Sequence, residues 1–140
     1  MKKKIKPIFL LNPRIWQTML AGITLISFIF IMLFIIVAAW IDHGVKTECD
    51  LAQPEFGEGE CVEALLAKVQ NEQIPLTDRN KVVWALGQLN DSRALPILKI
   101  LYTGEKCDHE KFLCQYELRK AIKLLEGGFN VTQLVRKSYH

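Results

Sequence analysis

Four cysteines are the residues of this chain whose chemistry depends most on spacing. Cys49, Cys61, Cys107 and Cys114 all follow a long apolar segment near the N-terminus. An even number of cysteines in an exported segment favours two disulfides, and four cysteines allow three pairings. We expect Cys49–Cys61 and Cys107–Cys114 because each pair is close in sequence. Neither spacing is the C-x-x-C of a redox site, so we expect structural disulfides. Four reduced thiols in a cytoplasmic domain are the alternative.

His109 and Glu110 lie between the second pair of cysteines and suggest a metal-binding or enzymatic domain as an alternative function. Zinc tolerates the spacing of Cys107, His109 and Cys114, but a closed site needs a fourth ligand, and a disulfide removes two ligands. The His-Glu pair is similar to those that hold two irons in a HEAT-repeat hydroxylase family, which needs several such pairs. We therefore expect no metal, no cofactor and no catalytic residue.

The segment that precedes the cysteines is long enough to cross a membrane. No charged residue occurs between Ile15 and Ile41. The almost wholly apolar run from Met19 would form a helix of about 34 Å, compared with a hydrocarbon core of about 30 Å. The apolar region of a cleaved signal peptide is only about 7–15 residues long, so we expect an uncleaved signal anchor. Cleavage near Val37-Ala38-Ala39 is the alternative.

The charges on either side of this segment predict its orientation. Before it lie five basic residues and no acidic residue: Lys2, Lys3, Lys4, Lys6 and Arg14. Because positive flanks stay in the cytoplasm, we expect a single-pass protein of the cell (inner) membrane with its C-terminal part in the periplasm or outside the cell. That part has 13 basic and 15 acidic residues. This near-neutral balance has no basic stripe and excludes nucleic acid as a partner.

Composition and periodicity divide the chain into four parts. We expect a basic cytoplasmic flank (1–17), a transmembrane signal-anchor helix (18–41), a linker (42–60) and a helical domain (61–140). The linker prediction depends on a polar composition with three glycines and one proline. After it, apolar residues recur at helical spacing, with no sustained strand alternation. The last helices are predicted at about 110–126 and 131–139.

One segment resembles a known repeat. Its sequence follows the pattern A-L-G-x-L, then Asp, then R-A-L-P-x-L. The matching residues are Ala85, Leu86, Gly87, Leu89, Asp91, Arg93, Ala94, Leu95, Pro96 and Leu98. Residues 82–101 resemble a HEAT-like repeat of the bilin-lyase (PBS lyase) type. The resemblance implies an all-α fold in which the transmembrane helix is followed by a short solenoid of helical hairpins. Leu86, Leu89, Leu95 and Leu98 should be buried, and Gly87 should allow close helix approach.

Trp84, Arg93 and Tyr102 are the candidate contact residues. Trp84 lies off the main apolar stripe of its helix, and the alternative is that it packs against the preceding helix over 62–69. Arg93 is expected to pair with Asp91 or with a carbonyl of the next repeat. The sequence predicts a membrane-anchored protein–protein interaction module, an adaptor or a small subunit of an envelope complex. Its partners would be the lipid bilayer and another protein. A ligand-binding module with a cleft near Trp84 and Tyr102 is a further alternative.

Overall fold

The structure is a computed structural model that describes residues 13–57, 59–108 and 111–130. The described residues form five helices and no strand: α1 (Pro13–Phe56), α2 (Cys61–Gln70), α3 (Leu76–Leu89), α4 (Ala94–Leu101) and α5 (Gln115–Leu125). The all-helical architecture predicted from the spacing is confirmed. The chain divides into two compact units, residues 1–37 and residues 38–140.

The first unit contains the apolar part of α1. Arg14–Phe56 is the one helix in the described parts of the chain that is long and apolar enough to cross a membrane, and none of its most apolar window is buried. The hydroxyls of Thr18 and Thr24 donate to the carbonyls of Ile15 and Ala21, both at 2.9 Å. These local bonds satisfy the hydroxyls within the helix, as an apolar solvent would require.

The α1 tail (residues 38–56) belongs to the second unit and differs from the sequence-based prediction. The predicted irregular linker over 42–60 is wrong up to Phe56, because the helix continues that far. Val45, Cys49 and Ala52 follow one another at helical spacing and are buried in the core of the second unit. This polar segment has a low helix propensity of its own. Burial of its apolar face in the core supplies the tertiary stabilisation that keeps it helical.

The second unit is a stack of helices with α3 and α4 at its centre. α3 contacts both α2 and α5, and α4 contacts α2, α3 and α5. Asn90 ends α3 in the left-handed conformation, with φ 55°. This residue allows a short turn into α4, because Asn tolerates the left-handed region. The central hairpin therefore has helices packed on both sides of it.

The leucines of the central hairpin test the predicted helix phase. Leu86 and Leu98 are completely buried, as predicted. Leu89 and Leu95 are only partly buried and pack at the edge of the same core. The predicted apolar stripe is thus confirmed at its centre, while its outer members lie at the margin of the stack.

Gly87 occupies the closest approach between α3 and α5. A Cβ atom at this position would lie 2.8 Å from both Cα and Cβ of Ala121. Real Cβ atoms do not approach other carbons so closely, so a side chain here would push the two helices apart. The role predicted for Gly87 is confirmed by this contact.

Helix α5 begins later than the sequence predicts. It was expected from about residue 110 and begins at Gln115. The backbone of Cys114 is extended, and its N–H donates to Asn80 Oδ1 at 2.8 Å. This bond to α3 holds the preceding segment as a loop. The helix predicted over 131–139 lies outside the described residues.

Candidate protein-binding surface

The structure brings the four cysteines together in two pairs. Cys49 and Cys61 are joined with their Cα atoms 5.2 Å apart, and Cys107 and Cys114 with theirs 4.7 Å apart. These are the pairs that proximity in sequence predicts. The first pair is buried on both sides, whereas in the second Cys114 is buried and Cys107 is exposed.

The first pair lies where the α1 tail meets α2, in a region that we call the closed side (residues 42–70, of which 42–57 and 59–70 are described). Lys68 Nζ lies 3.3 Å from Glu48 Oε2, and both side chains are nearly inaccessible to solvent. Gln53 Nε2 donates to the carbonyl of Gly59 at 3.1 Å. A covalent link, a buried ion pair and a side-chain hydrogen bond therefore fix the α1 tail onto α2.

Trp84 lies against the closed side. The indole is partly buried, and a Cβ atom at Gly44 would be 3.1 Å from its Cη2 atom. The sequence left two alternatives for Trp84, a partner contact or packing against α2, and the structure adds a contact with the α1 tail. Trp84 also borders a depression of about 20 Å³, which is too small for a ligand.

Arg93 is bonded within the domain. Its Nε and Nη2 atoms donate to the two carboxylate oxygens of Asp91 at 3.0 and 2.7 Å. The guanidinium also pairs with Glu60, and its Nη1 lies 3.5 Å from Glu63 Oε1. The hydrogen bonds to Asp91 and then to Glu60 raise the pKa of Arg93 above its ordinary value. The predicted pairing with Asp91 is confirmed, and it ties the α3–α4 turn to the start of α2.

Tyr102 lines a cleft at the other end of α4. The cleft has a volume of about 220 Å³, and Tyr116 and Arg119 also line it. The Arg119 guanidinium and the Lys120 ammonium lie 5.6 and 4.9 Å from the centroid of the Tyr116 ring. Such distances allow cation–π attraction. Exposed aromatic rings with cations beside them are frequent in protein interfaces.

A larger cleft lies on the far side of Gln115. Its volume is about 440 Å³, and its walls include Leu76, Leu101, Phe112 and the side chain of Arg79. The open side, as we call it, consists of the two clefts together with the loop and the helix start that separate them (residues 101–108 and 111–119). It combines concave surface with the exposed aromatic rings of Tyr102 and Tyr116.

Gln115 holds the wall between the two clefts in place. Its Oε1 accepts from the N–H groups of Thr103 and Gly104 at 2.7 and 3.3 Å. Its Nε2 donates to the carbonyls of Leu101 and Leu113 at 3.4 and 3.0 Å. All four hydrogen-bonding positions of the amide are used, so the end of α4 and the start of α5 form a single fixed wall.

Sequence reasoning did not identify Gln115 or Arg79. Both are polar residues at buried helix positions: Gln115 precedes Leu118 by three residues, and Arg79 precedes Val82 by three. A polar side chain in phase with an apolar stripe is the signal that was available. It identifies buried polar groups, but their partners are distant in sequence and do not follow from the pattern.

The three predicted contact residues lie in different places. Trp84 is beside the α1 tail, Arg93 is in the turn between α3 and α4, and Tyr102 follows the end of α4. Trp84 and Tyr102 line separate depressions, so the single cleft of the ligand-binding alternative is not formed by the residues described. His109 and Glu110 lie outside the described residues. Within residues 13–57, 59–108 and 111–130, no group of three or more His, Cys, Asp and Glu could hold a metal ion.

Comparison with known proteins gives one match. Residues 78–102 match the family model of the PBS lyase HEAT-like repeat. No curated protein and no solved structure matches the chain. The central α3–α4 hairpin is therefore similar to a HEAT-like repeat, and the resemblance inferred from the sequence is confirmed over this segment.

Proposed function

We propose that this protein is a single-pass membrane protein whose HEAT-like domain binds another protein on the exported side of the membrane. The observation that carries the proposal is the match of residues 78–102 to a HEAT-like repeat, with helices packed on both sides of the hairpin. Repeats of this kind stack into extended surfaces that serve mainly as scaffolds for protein partners. The role is that of an adaptor or a small subunit of a larger envelope complex.

The anchor is supported by the first unit. Between residues 15 and 37 the large apolar side chains of α1 are exposed, an arrangement that is unfavourable in water and favourable in lipid. The basic N-terminal flank supports a cytoplasmic N-terminus. The two cysteine pairs support an oxidising compartment for the second unit, because disulfides persist there and are rare in the cytoplasm.

The open side is the surface that we propose for the partner. The open side (residues 101–108 and 111–119) contains three basic and three acidic residues, whereas the closed side (residues 42–70) contains two basic and seven acidic residues. A partner with an acidic surface would therefore be repelled from the closed side but not from the open side. Tyr102 and Tyr116 supply exposed aromatic area of the kind that dominates binding energy.

Topology is tested with a reporter that is active only after export, fused after His140. We expect activity in the full-length fusion. The same reporter fused after Arg14, before the apolar segment, is the matched control and should be inactive. Activity of a cytoplasm-specific reporter at His140 would reverse the topology and contradict the exported location.

Binding is tested by purifying the full-length protein from native membranes. We expect a stoichiometric protein partner that is lost when Tyr116 is replaced by Ala. Leu51→Ala is the matched control, because Leu51 is about as exposed as Tyr116 (58% against 53%) but lies on the closed side. Absence of any stoichiometric partner, or equal loss in both variants, would contradict the proposal.

A further inference from the structure

Three charged side chains among the described residues are nearly buried, and one of them has no counter-ion within those residues. Glu48, Lys68 and Arg79 are buried, and the first two pair with each other. Arg79 is 8% exposed, and no carboxylate within the described residues lies at ion-pair distance from it. A buried cation without a partner is costly, so its surroundings must compensate or supply an anion.

Arg79 has a single hydrogen bond within the described chain. Its Nε donates to the carbonyl of Val69, near the end of α2, at 2.8 Å. This bond fixes the guanidinium and uses one of its five N–H donors. The two terminal NH₂ groups make no hydrogen bond within the described residues. The side chain also lines the 440 Å³ cleft of the open side. A positioned guanidinium in such a place is suited to bidentate binding of a carboxylate.

The remaining walls of the cleft are mainly apolar. Leu76, Leu101, Phe112 and Leu113 line it; Leu113 belongs to the core, Leu76 and Leu101 pack against the core, and Phe112 is partly buried. Lys111 adds a positive charge at the rim, where it pairs with Asp108 at 3.0 Å, and Glu72 adds a negative charge. The volume lies within the roughly 300–1,000 Å³ that is usual for ligand pockets.

We propose that this cleft binds the C-terminal carboxylate of a partner protein whose last residue is apolar. The carboxylate would accept hydrogen bonds from Arg79, and the apolar side chain would lie against Leu101 and Phe112. A chain end presents both groups on one residue. An internal Asp or Glu would require the partner chain to enter and leave a recess with a nearly buried cation. This inference rests on the proposed function and specifies which part of the partner is recognised.

The test uses two peptide probes that differ at one group. Acetyl-Gly-Leu-Leu with a free carboxylate is compared with its C-terminal amide, using the full chain in lipid nanodiscs and NMR of labelled leucine methyl groups. We expect the acid to shift the methyl signals of Leu76, Leu101 and Leu113 saturably. The amide should bind about tenfold more weakly or worse, because it lacks the charge-assisted hydrogen bonds. Leu51, on the closed side, should not shift.

Three protein variants sharpen the test. Arg79→Gln should abolish the difference between the acid and the amide, and Phe112→Ala should weaken both probes equally. Lys81→Gln is the matched control on the same helix, because its side chain is exposed and paired with Asp78. It should leave binding unchanged. If Arg79→Gln does not fold, the comparison of the two probes on the native chain still decides the question.

Several results would overturn the proposal. These are equal shifts from acid and amide, no shift at the solubility limit of the acid, and tighter binding of an internal acidic peptide. Selective shifts with laurate would indicate a lipid site instead. Failure of the peptide while a partner still co-purifies through Tyr116 would reject the cleft but keep the proposed function. Absence of any partner would reject the proposed function itself.

Discussion

The closed side and the open side of the second unit contain similar groups but differ in how far those groups are buried and paired. Each contains a cysteine pair and buried polar groups. On the closed side, the pair Cys49–Cys61 is buried, and the charges of Lys68 and Glu48 neutralise each other. On the open side, Cys107 is exposed and the buried charge of Arg79 has no counter-ion within the described chain. The greater burial and internal charge pairing of the closed side favour a stabilising role, and the open side keeps the accessible groups that the proposed partner contact requires.

The largest expected effect concerns the core that both sides share. Leu86→Ala should lower the free energy of unfolding by about 2–5 kcal/mol, because Leu86 is completely buried between the helices. Chemical denaturation of the full chain in detergent measures this loss. Leu51→Ala, at an exposed position, is the control and should change little. A loss below about 0.5 kcal/mol in Leu86→Ala would mean that the central hairpin is not packed as described.

The two cysteine pairs distinguish the sides directly. Removing Cys49–Cys61 by substitution with Ala should cost about 3 kcal/mol, and removing Cys107–Cys114 about 2 kcal/mol, since the second pair closes a shorter loop. Under mild reduction, Cys107–Cys114 should open first because Cys107 is accessible to the reductant. Alkylation followed by peptide mapping measures the order.

Four alkylatable thiols in the native, unreduced protein would contradict the disulfide prediction altogether. A mapped link between Cys61 and Cys107 would contradict the pairing. Simultaneous reduction of both pairs would remove the distinction between the closed and the open side that accessibility predicts.

Gly87 links the central hairpin to the open side through α5. Gly87→Ala should cost about 1–3 kcal/mol, because the new methyl group would meet Ala121 at 2.8 Å and separate the helices. Gly22→Ala is the matched control, since a Cβ there meets nothing within 4 Å. Equal stability of the two variants would show that α3 and α5 do not approach as closely as described.

The smallest expected effect is the pH dependence of an exposed pair at the start of α3. The hydrogen bond from Lys81, at 2.8 Å, lowers the pKa of Asp78 below its ordinary value. The contribution of Asp78 to the free energy of unfolding is therefore complete above about pH 4 and is lost as the pH falls through the folded-state pKa. Asp78→Asn should slightly lower Tm at neutral pH and leave it unchanged near pH 2, which thermal melts at both pH values measure. An equal effect at both would contradict the ion pair.

The central hairpin could be predicted from the sequence because its determinants are local. The motif between Ala85 and Leu98 contains the helix end, the turn and the buried leucines within one short segment. The α1 tail could not be predicted in the same way, because Gly44 and Pro54 suggest a loop. Its helix is stabilised by burial of Val45, Cys49 and Ala52 in the core of the second unit, a tertiary effect that local composition does not reveal.

The open side was harder to predict for a similar reason. The hydrogen bonds that shape it join Arg79 to Val69 and Cys114 to Asn80, separations of 10 and 34 residues. Such contacts follow from the stacking of helices and not from periodicity within any one of them. Tyr102 and Tyr116 line the same cleft although they are 14 residues apart, and only Tyr102 is among the contact residues predicted from the sequence.

Site-specific photo-crosslinking in native membranes tests whether the open side is the surface that contacts a protein partner. A photoreactive residue replaces Tyr102 or Tyr116 on the open side, and Leu51 or Thr47 on the closed side, in otherwise unchanged full-length protein. Partner binding at the open side predicts a discrete crosslink to one exported protein from both open-side positions and none from the closed-side positions. Crosslinks of equal yield from both sides, or only from the closed side, would contradict it.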